Sequence, residues 1–144
     1  MNSTETTIPR ERMHIVLLEG ISPSAVETFR AAGYTWVTHL PSSLSGEELV
    51  AAVKDAHFVG IRSRTRLTAD VLAAAPKLLA VGCFCIGTDQ VDLAAAEQLG
   101  VPVFNAPHSN TRSVAELVIA ESVMLERGIF DKSVACHQGK WSKT

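Results

Sequence analysis

Short apolar runs of strand length alternate with amphipathic segments of helix length along most of the chain. Five such runs predict β-strands, at residues 15–18, 35–37, 57–61, 78–81 and 101–104. Strands separated by single helices are typical of a parallel sheet with helices on both of its faces. The pattern therefore predicts an α/β fold, a flavodoxin-like parallel sheet of about five strands with helices on both faces.

Helix signals lie between these runs. Helix starts are predicted at Ser22, Ser45 and Thr68. Ser45 is followed three residues later by Glu48, the spacing of a capping box. A fourth helix is predicted at residues 93–99. Pro102 has no backbone N–H, so the fifth strand is expected to begin there or to lie at an edge of the sheet.

A final helix, predicted to start at a capping box formed by Ser113 and Glu116 and to end at Gly128, differs from the others. Its polar residues do not fall on a single stripe, so no broad face is left for solvent. Such a helix packs on more than one side, either in the core of this domain or as a bridge to a second domain or subunit. The residues after it, 132–144, are a polar stretch containing Trp141, with no closing strand.

The composition is that of an ordinary globular domain, with 47% hydrophobic and 19% charged residues. The formal net charge of -2 provides no general attraction to nucleic acid or to an anionic membrane, so any anion site must be local. No apolar run reaches the roughly 18 residues that a transmembrane helix needs. Residues 1–12 are polar and lack the apolar centre of a secretory signal, so we expect a flexible tail.

The three cysteines, Cys83, Cys85 and Cys136, predict free thiols in a reducing cytoplasm. They could be drawn together with His137 as a metal site. However, the one-residue gap between Cys83 and Cys85 matches none of the usual zinc spacings. We therefore expect no metal and a cytoplasmic location.

Three polar loops follow predicted strands, and ligands of open parallel sheets bind beyond the carboxyl ends of the strands. The arginine loop (residues 62–65) carries many donors and no carboxylate, which suits a phosphate or carboxylate ligand. The glycine loop (residues 82–89) can present backbone N–H groups to an anion. Residues 105–111 lead into the N-terminus of the final helix, where anions are favoured. Together these loops predict a site for a small anion.

Each loop also has a purely structural interpretation. One arginine of the arginine loop can point to solvent and pair with a surface acid. The glycine loop can be a tight turn before a helix capped by Asp89 or Asp92. His108 has no partner in the sequence that would orient it as an acid or base, so an exposed loop histidine is the better interpretation. Residue types and spacing alone indicate anion binding and no reaction.

Four stretches around these loops resemble the D-2-hydroxyacid dehydrogenase family, and within it the enzymes that oxidise 3-phosphoglycerate with NAD in serine biosynthesis. The matching stretches are residues 18–20, 56–65, 81–93 and 103–117. The resemblance implies a substrate-binding domain over residues 13–110, after the tail of residues 1–12. Residues 111–144 would then form an interdomain and dimer helix and the start of a nucleotide-binding domain. It also implies a homo-oligomer.

The resemblance also assigns residue roles. The implied substrate-binding residues are Arg62, Ser63, Arg64, Cys85, Ile86, Gly87 and Asn110. Among them, Arg64 would face the phosphate of 3-phosphohydroxypyruvate, and the backbone N–H groups of the glycine loop would face the substrate carboxylate. Asn110 would lie at the mouth of the site, and Val114 would lie close to the nicotinamide of NAD.

The chain departs from the family pattern in one large respect. Its nine glycines never occur in the Gly-x-Gly-x-x-Gly spacing with which the family binds NAD. The family's catalytic arginine, glutamate and histidine have no counterpart here, and neither His108 nor His137 replaces them. We therefore expect a truncated substrate-binding domain that has no catalytic residue, binds NAD weakly if at all and is inactive alone.

An alternative function is an anion-binding or regulatory module that has the pocket without the reaction. In either case the expected partner is a small phosphorylated 2-hydroxy or 2-oxo acid. A phosphoacceptor receiver domain shares the sheet pattern, but its chemistry does not fit. Its third strand must end in an aspartate where this chain has Arg62, and the first strand here ends in the single acid Glu19.

Overall fold

The computed structural model describes residues 8–141, and the chain divides into two compact units between Pro107 and His108. The first unit contains a sheet of five strands: β1 (Ile15–Leu17), β2 (Val37–His39), β3 (Phe58–Ile61), β4 (Ala80–Cys83) and β5 (Val103–Asn105). The strands are all parallel, in the order β2-β1-β3-β4-β5. The predicted α/β fold with a five-stranded parallel sheet is confirmed.

Four α-helices connect the strands: α1 (Pro23–Ala31), α2 (Gly46–Val53), α3 (Ala69–Ala73) and α4 (Leu93–Gln98). The hydroxyl of Ser22 accepts a hydrogen bond from the Ser24 N–H, and the carboxylate of Asp92 caps α4 at the Ala95 N–H. Ser45 and Thr68 occupy the N-cap positions of α2 and α3 but make no side-chain cap. The capping box predicted at Ser45 is therefore wrong, although the helix begins there.

Helices cover both faces of the sheet, as predicted. Successive side chains of a strand point to opposite faces, and the strand residues here contribute alternately to two core clusters. Ile15 and Leu17 pack with Val26 of α1 on one face. On the other face, Val16, Val59, Val81 and their neighbours pack with residues of α2, α3 and α4. Both faces of β1 are therefore apolar and buried.

Three strands lie about two residues later than the apolar runs predict. The ladder pairs Ala80 with Phe58 and Val103 with Val81, so β4 and β5 begin where a neighbouring strand can bond to them. The first and last residues of a strand are set by its pairing with the neighbouring strand, and hydropathy does not report that pairing. Pro102 directly precedes β5, an edge strand, as predicted.

The second unit contains α5 (Thr111–Glu126) and α6 (Ile129–His137). The capping box predicted at Ser113 is wrong, because the N-cap of α5 is Asn110, three residues earlier. Glu116 pairs instead with Arg112 at 2.7 Å. Much of the stretch that was predicted to be merely polar forms α6. Neither helix has a buried residue. The interdomain role of α5 stays a prediction.

Both ends of the chain carry predictions that the structure covers only in part. Of the predicted tail, residues 1–7 lie outside the described residues, and Arg10–Arg12 form a 3₁₀ turn. Residues 142–144 of the C-terminal stretch also lie outside them. Within the described part of the chain, no helix is both long enough and apolar enough to span a membrane.

The sheet requires a glycine at position 60 of β3. A Cβ atom at Gly60 would lie 2.6 Å from Leu17 Cδ2 and 3.0 Å from Phe84 Cε2. Both atoms belong to side chains, so the Leu17 methyl group and the Phe84 ring must shift to admit the added methyl group. Gly60→Ala should therefore lower the free energy of unfolding by about 1–3 kcal/mol in urea titrations. Gly82→Ala is the matched control, since its Cβ would make an ordinary 3.4 Å contact with Phe84. Equal losses in the two variants would contradict this explanation.

Candidate functional site

Four chain segments meet at the carboxyl edge of the sheet. They are the end of β1, the arginine loop after β3, the glycine loop after β4, and the residues at the end of β5. The strands are parallel and β1, β3, β4 and β5 are successive neighbours, so their carboxyl ends lie side by side. A parallel bridge between Leu67 and Val91 continues the link between the chain segments beyond β3 and β4.

The arginine loop is bound by the carboxylate of Glu19, which comes two residues after β1. Oε1 of Glu19 accepts hydrogen bonds from the N–H groups of Arg62 (3.1 Å) and Thr65 (2.8 Å). Oε2 accepts one from the N–H of Arg64, at 3.0 Å. The sequence indicates a loop rich in free donors, but three of its backbone donors are already occupied. The donors left for a ligand are chiefly the arginine side chains and the hydroxyl of Ser63, since Thr65 is buried.

These hydrogen bonds change the acidity of Glu19. Partial burial opposes ionisation of the carboxyl group, but the N–H groups of Thr65, Arg64 and Arg62 outweigh it, so the pKa of Glu19 is lowered from its ordinary value. Glu19 is therefore ionised at neutral pH. Its contribution to folding is present above the unfolded-state pKa and is lost as the pH falls through the lower folded-state pKa.

The buried side chain of Gln90 connects the arginine loop to the glycine loop. Its Nε2 lies 2.7 Å from the Arg62 carbonyl oxygen, 3.2 Å from the Gly87 carbonyl oxygen and 3.2 Å from Cys85 Sγ. The Cys85 thiol is also 3.5 Å from the Arg62 carbonyl oxygen. The two loops predicted to form the site are therefore in direct contact.

In the glycine loop, the carbonyl groups of residues 85–87 are hydrogen-bonded while the N–H groups of the same residues are free among the described residues. The carbonyl oxygen of Cys85 accepts from the Ala106 N–H (3.0 Å), and that of Ile86 accepts from the Asn105 side-chain amide (2.7 Å). Gln90 binds the third, on Gly87. Within residues 8–141, the N–H groups of Cys85, Ile86 and Gly87 donate to no acceptor. Their predicted use as donors to a carboxylate is compatible with this arrangement and stays a prediction.

The side chains of Arg62, Ser63 and Arg64 are exposed to solvent. Neither arginine forms an ion pair with a carboxylate of the described residues. Arg64 lines a cleft of about 750 Å³ beside α2 and α3, which Lys54 and Arg66 also line together with the acids Glu47 and Asp70. The lining of this cleft thus contains three basic and two acidic side chains.

Three other predicted positions belong to the second unit. Asn110 is the N-cap of α5 and makes no side-chain cap, and Val114 lies in the first turn, about half exposed. Their places at the mouth of the site and beside the nicotinamide stay predictions. His108 is exposed, in agreement with its interpretation as a loop histidine.

Sequence reasoning missed Glu19 and Gln90 as parts of the site. Glu19 was noted only as a lone acid after the first strand, although its position at the same edge as the arginine loop was an available signal. No comparable signal marked Gln90, because its role depends on being buried between two loops that are distant in sequence.

The cysteines are free, and Cys83 is buried at the end of β4 while Cys136 is exposed. Burial, aided by the nearby Cys85 and Asp89, raises the pKa of Cys83 to about 11. Among residues 8–141, no cluster of three or more His, Cys, Asp or Glu side chains could hold a metal ion.

Comparison with known proteins identifies related chains and a common fold. Residues 15–137 match the family model described as D-isomer specific 2-hydroxyacid dehydrogenase, catalytic domain. A D-3-phosphoglycerate dehydrogenase of Haemophilus influenzae is 51% identical over 142 residues, covering 99% of this chain and 35% of that protein. The chain thus spans about a third of the length of this relative.

Two solved structures have the same fold. The TT0316 protein of Thermus thermophilus has a TM-score of 0.76 at 26% identity, over 92% of this chain and 42% of that one. The 3-phosphoglycerate dehydrogenase of Entamoeba histolytica, described with bound NAD+, has a TM-score of 0.66 at 27% identity, over 78% of this chain and 38% of that one.

The burial of Cys83 predicts unequal thiol reactivity. At pH 8 the raised pKa leaves little thiolate at Cys83. Iodoacetamide should therefore modify Cys83 at least about tenfold more slowly than Cys136. Peptide mass spectrometry over a time course would measure both rates, with urea-unfolded chain as the control in which they converge. Equal rates in the folded chain would contradict the buried position of Cys83.

Proposed function

The chain belongs to the D-isomer specific 2-hydroxyacid dehydrogenases, and we propose that it is the substrate-binding part of a D-3-phosphoglycerate dehydrogenase. The complete enzyme would interconvert 3-phosphoglycerate and 3-phosphohydroxypyruvate with NAD, a step of serine biosynthesis. The observation that carries the proposal is the contact that Gln90 makes with both loops, since one loop has two exposed arginines and the other has N–H groups without an acceptor among the described residues.

The role of this chain in the reaction would be to bind and orient the substrate. A substrate with a phosphate at one end and a carboxylate at the other needs donors at two places. In the proposal, Arg62 and Arg64, with the hydroxyl of Ser63, bind the phosphate and neutralise its charge, since guanidinium groups bind phosphate through two parallel hydrogen bonds. The N–H groups of Cys85, Ile86 and Gly87 bind the carboxylate, and Asn110 lies at the mouth of the site.

NAD belongs to the complete enzyme in this proposal. The described residues do not fit a dinucleotide site, because the sequence contains no Gly-x-Gly-x-x-Gly motif. Only Val114 is assigned to the vicinity of the nicotinamide. We also infer a homo-oligomeric, cytoplasmic enzyme, in which residues 111–144 connect the substrate-binding part to the rest.

The first test is ligand binding by the chain itself. 3-Phosphoglycerate at 100 times its dissociation constant should stabilise the folded chain by about 2.7 kcal/mol, measured as a rise in melting temperature. Arg62→Ala combined with Arg64→Ala should abolish the rise, whereas Arg30→Ala, an exposed arginine of α1, should retain it. Glycerate, which lacks the phosphate, should stabilise the chain less. No shift with millimolar 3-phosphoglycerate would refute the proposed substrate site.

Turnover gives a second readout. This chain with NADH and 3-phosphohydroxypyruvate should show no NADH oxidation at 340 nm, because no catalytic residue is assigned to it. Binding without turnover agrees with a substrate-binding part and equally with an anion-binding module. Oxidation at an ordinary enzymatic rate would overturn the assignment of catalysis to other parts of the enzyme.

A further inference from the structure

We propose that Glu19 and Gln90 are positioning residues that hold the arginine loop in the shape required for anion binding. Neither side chain would touch the ligand. Glu19 would act through the backbone N–H groups of the loop. Gln90 would act through the carbonyl group of Arg62, the first residue of the loop. This inference rests on the proposed function, since the anion is the ligand inferred there.

The contacts of Glu19 reach almost the whole loop. Its two carboxylate oxygens accept hydrogen bonds from the N–H groups of Arg62, Arg64 and Thr65, at 2.8 to 3.1 Å. Three converging N–H groups normally form a cavity for an external anion. Here an internal carboxylate occupies that cavity, so the backbone of the loop is fixed while its arginine side chains remain free.

Gln90 fixes the same loop from the other side. Its amide lies 2.7 Å from the carbonyl oxygen of Arg62, the residue whose N–H binds Glu19. Both hydrogen-bonding groups of the Arg62 backbone are therefore held by half-buried or buried side chains from two other segments. The same amide contacts the Gly87 carbonyl oxygen, which sets the distance between the two loops.

The backbone of Glu19 itself is strained, in agreement with a functional position. Among the described residues, Glu19 is the only one other than glycine that has a positive φ, at 61°. Side chains other than glycine, asparagine and aspartate rarely adopt this left-handed conformation. Hydrogen bonds from the Glu19 N–H to the Ser42 carbonyl oxygen and from the Gly20 N–H to the Leu40 carbonyl oxygen hold it there. Strain of this kind is typical of functional sites.

Electrostatics and positioning predict opposite effects of removing the Glu19 charge. Glu19→Gln deletes a negative charge beside two arginines, and by Coulomb attraction alone an anion should then bind more tightly. If Glu19 instead shapes the loop, the amide that replaces one oxygen cannot accept an N–H group, the loop loosens and the anion binds more weakly. The direction of the change therefore distinguishes the two roles.

Calorimetric titration of the chain with 3-phosphoglycerate, at a temperature where every variant is folded, tests the proposal. Glu19→Gln and Gln90→Leu should each weaken binding by about tenfold, as expected for a lost hydrogen-bond contact to a charged or buried group. Glu27→Gln and Gln98→Leu are the matched controls, because both residues are exposed on helices α1 and α4. They should bind like the unmodified chain.

If Glu19→Gln binds 3-phosphoglycerate as tightly as the Glu27→Gln control, or more tightly, the positioning role is refuted while the proposed function stands. If the unmodified chain and both controls do not bind, the proposed function fails, and with it the role of these residues in binding its substrate.

A measurement without ligand tests the positioning role separately from the proposed function. In an NMR pH titration, the backbone amide signals of Arg62, Arg64 and Thr65 should move together, with a midpoint below the ordinary glutamate value. In Glu19→Gln this common transition should disappear, and it should persist in Glu27→Gln. Amides that titrate independently of Glu19 would overturn the inferred hold on the loop, whatever the binding result.

Discussion

The hydrogen bonds from the arginine loop to the Glu19 carboxylate are the constraint on which the candidate site depends. A loop that leaves a sheet cannot use the ladder to satisfy its N–H groups, so it needs other acceptors. One carboxylate supplies them for three residues at once. Three of the four N–H groups of the loop are thereby satisfied internally. In the proposed function, the guanidinium groups of Arg62 and Arg64 bind the external anion.

The order of the strands makes this contact possible. Glu19 and Arg62 are separated by 43 positions in sequence, yet β1 and β3 are neighbours in the sheet and Leu17 pairs with Gly60. The chain reaches this arrangement because β2 lies on the outer side of β1. The same topology places the ends of β4 and β5 beside the end of β3. Gln90 can therefore bind the arginine loop, and Asn105 can bind the glycine loop.

The site is electropositive only locally, in a chain whose formal net charge is -2. Three of the eight arginines, Arg62, Arg64 and Arg66, lie in or just after the arginine loop. The one carboxylate that contacts this loop accepts three N–H groups. Its negative charge is thus offset by the backbone while the side-chain charges stay unpaired within the described residues. In the proposed function, this local positive charge serves a small phosphorylated acid.

The sequence by itself determined the parallel α/β fold, the coverage of both sheet faces and the clustering of Arg62, Ser63 and Arg64 at a strand end. Those features follow from hydrophobic periodicity and from chemistry that is local in the chain. Strand limits, the start of α5 and the helix α6 were not predicted, because ladder partners and neighbouring turns decide them. Only the tertiary structure brought Glu19 and Gln90 into the site, since each acts on a loop that topology, and not sequence proximity, places beside it.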